Sequence, residues 1–192
     1  MKTLLRTVVD RVRNDRVGRA TSRIAYTDCM SEIERLRGIL GSCRTIAVAG
    51  LSAQWHRPSF FAAKYMQSHG YRIVPVNPGA TEILGERCYP TITAASVALA
   101  AQGLRIDMVD CFRKSEDIAP LADEAIAIGA HCLWMQIGVI DEASAAKARA
   151  AGLEVVMDRC VKIEHARLFG GLNWIGVNTR VISAKRPRHL PY

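Results

Sequence analysis

The chain of 192 residues and 21.1 kDa suffices for one domain of ordinary size and excludes two full catalytic domains. Hydrophobic residues make up 49% and charged residues 23%, which excludes compositional disorder. The net charge of +8 resides at the two ends: residues 1–43 carry nine Lys and Arg against five Asp and Glu, residues 44–170 carry thirteen of each, and residues 171–192 carry four against none. A neutral body argues against a nucleic-acid-binding face.

Residues 1–43 are predicted to form a helical arm. Residues 1–23 place apolar side chains at helical spacing among six arginines, which is typical of a helix that packs on the domain or on a second subunit of a homodimer. Organelle transit peptides have a similar Arg-rich composition, although Asp10 and Asp15 interrupt it. A second helix is predicted from Ser31, which is spaced with Glu34 as a capping box.

Residues 44–168 are predicted to alternate strands with helices, and residues 169–192 to form a basic tail. The predicted strands are Arg44 to Ala49, Tyr71 to Val76, Ile106 to Phe112, His131 to Ile137 and Leu153 to Met157. The predicted helices begin at Pro58, Thr91, Ser115, Asp141 and Cys160. This alternation is typical of right-handed crossovers between parallel strands. The fold class is therefore predicted as α/β, with a doubly wound, five-stranded, parallel Rossmann-like sheet and helices on both faces.

The six cysteines include no CxxC pair, which argues against a zinc site or a disulfide framework. A reducing compartment, the cytoplasm, is expected. No apolar stretch reaches the roughly 18 residues that a membrane-spanning helix needs, so a soluble protein is expected.

The loop after the first strand has the parts of a phosphate site. It contains Gly50, the hydroxyls of Ser52 and Ser59, the guanidinium of Arg57, and a helix that begins at Pro58. Such a helix start attracts anions through its free N–H groups. An NAD site fits less well, because Ser52 and a bulky Trp occupy the second and third glycine positions of the NAD motif. The second strand also ends in an Asn instead of the acid that binds the ribose. An NAD-binding regulatory protein stays open as an alternative.

Charged residues follow the third and fifth strands. Arg113 and Lys114 meet the start of a helix, which favours a bound anion nearby unless the adjacent acids neutralise them. The segment 158–165 brings together two acids, two bases, a thiol and an imidazole, which indicates a polar site.

Several short motifs occur in order between Thr45 and about Leu168. They are Ala47 to Ser52, Arg57-Pro58-Ser59, Val74 to Pro78, Leu84-Gly85-Glu86, Tyr89-Pro90, Asp107 to Arg113, Trp134 to Gly138, Val156 to Cys160 and Glu164-His165. In this combination the chain resembles the small CoA-binding proteins related to the CoA-binding domain of the succinyl-CoA synthetase alpha subunit.

The resemblance implies that coenzyme A or an acyl-CoA binds across the carboxyl ends of the strands. The residues implied to bind it are Gly50, Leu51, Ser52, Arg57, Pro58, Ser59, Asn77, Pro78, Phe112, Arg113, Gln136, Gly138, Asp158, Arg159 and Cys160. The phosphates are expected at the first loop and the pantetheine arm beside Gln136 and Gly138, with its thiol towards the turn of residues 158–160.

The synthetase carries its phosphorylated histidine in a second domain, for which residues 169–192 leave too little chain. Non-catalytic binding is therefore expected, and no metal site is predicted. Two candidates for chemistry remain. Cys160, beside Arg159 and near a helix start, is the candidate for a lowered pKa and a mixed disulfide with CoA, although a small buried apolar residue is the more common role of a cysteine. His165 is the candidate general base, although a structural histidine is the more common case.

Overall fold

The computed structural model describes residues 32–170, so the predicted helix of residues 1–23, Ser31 of the predicted capping box and the tail from residue 171 lie outside the described residues. The chain divides into two compact units, Met1–Gly38 and Ile39–Tyr192. Residues 32–42 form helix α1.

Strands and helices alternate through the second unit. The strands are β1 (Thr45–Ala49), β2 (Arg72–Val76), β3 (Glu82–Ile83), β4 (Glu86–Arg87), β5 (Met108–Cys111), β6 (Cys132–Met135) and β7 (Glu154–Val156). The further helices are α2 (Pro58–Ser68), α3 (Ile92–Ala100), α4 (Ile118–Ala127), α5 (Glu142–Ala150) and α6 (Val161–Phe169), and a 3-10 helix, Ser115–Asp117, precedes α4.

Five of the strands form a parallel sheet in the order β2-β1-β5-β6-β7, while β3 and β4 form a separate antiparallel pair. The predicted α/β class with a five-stranded parallel Rossmann-like sheet is confirmed. The winding direction reverses between β1 and β5, because the chain first adds β2 on one side of β1 and later adds β5 on the other. In open sheets of this kind ligands bind at such a reversal, outside the carboxyl ends of the strands.

The central strands are buried along both faces because helices cover both. Every residue of β1, β5 and β6 is buried. Helices α3, α4 and α5 contact one another in sequence, and α2 contacts α6. The core against α3, α4 and α5 includes Ala47, Val109, Cys111, Leu133 and Met135. Since side chains alternate along a strand, Asp110 and Trp134 project to the opposite face.

The two-strand hairpin β3–β4 was absent from the predicted elements. Its turn consists of Leu84 and Gly85, both with positive φ, of 57° and 75°. The usual signal for such a turn is Asn-Gly or Asp-Gly, and leucine in a left-handed conformation is uncommon. The sequence therefore lacks the residues that normally mark this hairpin.

Candidate functional site

Two neighbouring cavities open at the carboxyl ends of the parallel strands. The first, about 380 Å³, is called the polar cavity and is lined by Gly50, Ser52, Gln54, Arg57, Pro58, Ser59 and Phe112. The second, about 710 Å³, is called the apolar cavity and is lined by His56, Pro58, Phe61, Ala62, Phe112, Arg113, Gln136, Ile137, Val139, Cys160, Lys162 and Ile163. Pro58 and Phe112 belong to both, so the two cavities adjoin.

The polar cavity is formed by a loop that its own side chains hold in place. Ser59 Oγ accepts a hydrogen bond from the Ser52 backbone N–H at 3.1 Å, and Ser52 Oγ accepts one from Gln54 N–H at 3.1 Å. Arg57 Nε donates to Gln54 Oε1 at 3.1 Å, and the Arg57 side chain is exposed. These hydrogen bonds link four residues in series, and the exposed guanidinium of Arg57 is the last member.

Helix α2 begins at this loop. Pro58 is its first residue, and the residue before it, Arg57, makes no side-chain capping hydrogen bond. Proline is favourable at this position because the first N–H groups of a helix have no partner within the helix. The positive end of the α2 dipole therefore borders the polar cavity, which suits an anionic ligand.

One side of the apolar cavity is a single face of α2. Pro58, Phe61 and Ala62 line it, and their spacing of three and four residues places them on that face. Phe61 is 46% exposed and Ile137, on the other side, is 42% exposed. Large apolar side chains exposed around a cavity are a common feature of ligand sites.

A buried polar pair lies at the cavity's Gln136. The Gln136 Nε2 atom donates a hydrogen bond to Asp110 Oδ1 at 2.6 Å, and the two residues are 5% and 2% exposed. Burial raises the pKa of Asp110 to about 7, and the hydrogen bond from Gln136 only partly offsets this. Sequence reasoning included Gln136 but assigned no role to Asp110, which lies inside a strand.

Cys160 lines the apolar cavity and is partly buried. The predicted lowering of its pKa is wrong, because burial raises the pKa of this thiol above its ordinary value. The N–H groups of Ile163 and Lys162 at the start of α6 act in the opposite direction and do not outweigh burial. The remaining cysteines among residues 32–170 are all buried.

Three other predicted binding residues hold the turn between β7 and α6, and none of them lines either cavity. Asp158, which has a positive φ of 56°, accepts a hydrogen bond from Gly138 N–H at 2.7 Å. The Arg159 carbonyl accepts one from Trp134 Nε1 at 2.7 Å, and its guanidinium pairs with the fully buried Glu164 at 3.3 Å. These contacts fix the direction in which α6 begins, and thereby the position of Cys160.

Asn77, Leu51 and Pro78 also lie outside both cavity linings. Asn77 Nδ2 donates to the carbonyl of the fully buried Leu51 at 2.8 Å, while Asn77 Oδ1 accepts from Gly79 N–H at 2.9 Å. Asn77 thus connects the end of β2 to the loop after β1, and it stabilises that loop without lining the polar cavity.

His165 is packed away from the cavities among aromatic rings. Tyr65 Oη lies 3.2 Å from His165 Nδ1, and Phe169 stacks on the imidazole with ring centroids 4.9 Å apart. The ring of His69 lies 5.1 Å away, and burial together with His69 lowers the pKa of His165. The geometry gives His165 a packing role between α2 and α6 and does not bring it to the cavities.

Comparison with known proteins agrees with this geometry. Residues 44–166 match the CoA-binding domain family. The chain belongs to that family. The uncharacterized protein YneT of Bacillus subtilis (strain 168) is 37% identical over 131 residues, which cover 68% of this chain and 92% of YneT.

Solved structures also resemble this chain over about 70% of its length. A hypothetical protein from Pyrococcus horikoshii OT3 superposes with a TM-score of 0.66 at 35% identity, covering 72% of this chain and 92% of that one. A protein from Thermus thermophilus gives a TM-score of 0.62 at 30% identity, covering 71% and 98% of the two chains. Among the described residues, 32–170, no helix has the length and apolar character to cross a membrane.

Sequence reasoning located the strand ends that form the site but missed half of its apolar lining. The cavity residues that it did not assign to a site are Gln54, His56, Phe61, Ala62, Ile137, Val139 and Ile163. A usable signal existed for Phe61 and Ala62, because they share a helix face with Pro58, the first residue of α2.

Proposed function

We propose that this CoA-binding domain binds coenzyme A or an acyl-CoA without catalysing a reaction on it, with phosphates in the polar cavity and the pantetheine arm in the apolar cavity. The observation that carries the proposal is the adjacency of two cavities of opposite character, which share Pro58 and Phe112. The two halves of coenzyme A match the two cavities, since a highly charged, phosphate-bearing half is joined to a long, mostly apolar arm.

The polar cavity supplies what a phosphate requires. Ser52 and Ser59 offer hydroxyls, Arg57 offers a guanidinium, and α2 directs its positive end to the same place. The Ser52 N–H, which now donates to Ser59 Oγ, is a further donor that a phosphate oxygen could take over.

The apolar cavity suits a chain that carries few polar groups. Phe61, Ala62 and Ile163 provide contact area, and Gln136 is an uncharged polar group among them. The polar part of the lining is completed by His56, Arg113 and Lys162. Apolar walls with a small number of positioned polar groups are typical of small-molecule sites.

An NAD-binding regulator is the alternative, and the site supports it less. Asn77 uses its side chain on Leu51 and Gly79, so no acid at the end of β2 is available for a ribose diol. Gly50 is followed by Ser52 and Trp55 at the positions where the NAD motif has glycines.

Calorimetric titration of the full chain with CoA, acetyl-CoA and NAD tests the proposal. We expect saturable binding of CoA or acetyl-CoA and none of NAD at the same concentrations. Arg57→Gln is expected to weaken CoA binding. Lys64→Gln, at an exposed position of α2 outside both cavities, serves as the matched control. Binding of NAD alone would overturn the proposal.

Thiol exchange through Cys160 is a second candidate, favoured by the position of this cysteine on the apolar cavity. The oxidant would be CoA disulfide. The Cys160 thiolate would attack one sulfur of the disulfide, the S–S bond would break, and one CoA would leave as its thiolate while the other stayed bound to Cys160. The raised pKa makes the thiolate scarce near neutral pH and slows this step.

Mass spectrometry of non-reduced protein after incubation with CoA disulfide tests the exchange. An adduct of one CoA on Cys160, lost on reduction and absent from Cys160→Ser, is the expected result. The absence of an adduct on Cys160 at pH 9 would exclude the reaction, because the thiolate is then more abundant.

A further inference from the structure

The buried carboxylate of Asp110 is separated from the apolar cavity by one side chain, that of Gln136. Asp110 lies near the end of β5, in the middle of the sheet, and is 2% exposed. Its hydrogen bond from Gln136 Nε2 measures 2.6 Å, and it is Gln136, not Asp110, that lines the apolar cavity. A buried acid in a central strand is expensive, so its partner and surroundings call for an explanation.

The hydrogen bond determines which way the amide of Gln136 points. An ionised carboxylate can only accept hydrogen bonds, so the amide must turn its Nε2 towards Asp110. The planar amide then directs Oε1 away from Asp110. Within residues 32–170, no hydrogen bond to Gln136 Oε1 is formed, while every fully sealed side-chain polar atom has a partner. The Oε1 atom is therefore not sealed from the cavity that Gln136 lines.

We propose that Asp110 is a positioning residue that fixes the amide of Gln136 so that its oxygen presents a hydrogen-bond acceptor to the apolar cavity, where it selects a ligand with an N–H donor. The inference rests on the proposed function, since the pantetheine arm of CoA carries two secondary amides. Gln136 would contact the ligand, and Asp110 would act through it.

A positioning residue is needed because the Gln136 amide, without a fixed partner, can direct either its oxygen or its NH₂ group into the apolar cavity. With its NH₂ group in the cavity, Gln136 would meet a ligand N–H as donor against donor. The other titratable groups around Asp110 are the thiols of Cys111 and Cys160, and the pKa of each is raised by burial and by Asp110 itself. His56, Arg113 and Lys162 line the cavity. At pH 8.0 Asp110, with its pKa of about 7, is ionised and the thiols are mostly neutral.

The test compares two ligands at pH 8.0. Coenzyme A carries the arm, and adenosine 3′,5′-bisphosphate lacks it. Gln136→Leu is expected to weaken CoA binding by about five- to tenfold, the effect of one lost hydrogen bond, and to leave the bisphosphate within about twofold of the unchanged protein. Asp110→Val is expected to have a similar selective effect.

The exchanged pair Asp110→Asn with Gln136→Glu provides the rescue. The amide introduced at position 110 can donate to one oxygen of the carboxylate introduced at position 136, which leaves the other oxygen as an acceptor in the cavity. We expect CoA affinity within about threefold of the unchanged protein, as one net hydrogen bond is retained. Binding of the bisphosphate reports that each variant is folded, and thermal melting checks this independently.

The outcomes separate the two proposals. If the unchanged protein binds neither ligand, the proposed function fails. If CoA binds but Gln136→Leu leaves its affinity unchanged, or if Asp110→Val weakens both ligands equally, or if the exchanged pair restores nothing, the role of Asp110 and Gln136 is wrong while the proposed function stands.

Discussion

The carbonyl oxygen of Phe112 lies so close to Gly50 that a methyl group at position 50 would come within 2.5 Å of it. The approach joins the ends of β1 and β5, where the winding of the sheet reverses, and Phe112 N–H also donates to the Ala49 carbonyl at 2.9 Å. Both Gly50 and Phe112 line the polar cavity. The absence of a side chain at position 50 therefore helps to set the shape of that cavity.

Gly50→Ala is predicted to lower both stability and CoA affinity. The residue has φ of +85°, where a side chain is strained, and the new methyl would also collide with the Phe112 backbone. Gly70→Ala is the matched control, because Gly70 has φ of +87° but open space around it. We expect Gly70→Ala to cost about 1 kcal/mol of unfolding free energy and Gly50→Ala at least twice that in urea titrations. Equal losses would show that the close approach is unimportant.

Arg57→Gln is predicted to weaken CoA binding by about tenfold through loss of a charged hydrogen bond to phosphate. The dependence of affinity on salt concentration is also expected to flatten, because one cation fewer interacts with the phosphates. Calorimetry at low and high NaCl measures both effects. Lys64→Gln removes the same charge from the exposed part of α2. If it matches Arg57→Gln, the effect is one of net charge and not of the polar cavity.

The stability of the fold is predicted to depend on pH through Asp110. Burial raises its pKa to about 7 in the folded state, above the ordinary value of 3.8. The folded state thus holds this proton more tightly than the unfolded chain, so this group lowers the unfolding free energy as pH rises from about 4 to about 7.

Asp110→Asn keeps an acceptor for Gln136 and removes the charge. We expect its advantage over the unchanged protein to be small at pH 5 and to grow by a few kcal/mol up to pH 8, since each unit of pKa shift corresponds to about 1.4 kcal/mol. Urea midpoints at the two pH values test this. Asp123→Asn, at an exposed acid, is the control that should show no such gain. A variant that is less stable at pH 8 would contradict the prediction.

Cys160 is predicted to react with iodoacetamide more slowly than a free thiol at pH 8, because burial raises its pKa. The rate should rise steeply towards pH 10, and bound CoA should protect the residue, since Cys160 lines the apolar cavity. Peptide mapping by mass spectrometry measures the modification at this position alone. Rapid alkylation at pH 7 would mean that the thiol is activated.

The strands and the first loop could be predicted because their signals are local. A buried strand ending at Gly50, followed by Pro58 at a helix start, is readable from neighbouring residues, and the structure has both. The helix start predicted at Asp141 was also readable, and in the structure the carboxylate of Asp141 caps α5 by accepting from Ser144 N–H at 3.1 Å.

The use of each polar side chain could not be predicted, because it depends on distant partners. Arg159 pairs with Glu164, which the sequence does not reveal as fully buried, and Asn77 reaches the Leu51 carbonyl 26 positions away in the chain. The same limit concealed Asp110, whose importance follows only from its distance to Gln136. Some residues that follow a strand line the cavities, and others stabilise the loops around them. Which role a residue has is known only from its contacts in the folded structure.

Because the two cavities adjoin at Pro58 and Phe112, the proposed binding mode predicts that a nucleotide bisphosphate and a free pantetheine bind side by side without competing. Joining them in one molecule makes the second contact intramolecular, at an effective concentration in the millimolar range for a short linker. Whole coenzyme A should consequently bind far more tightly than either fragment, and the length of the linker between the two halves should govern that gain in any synthetic mimic.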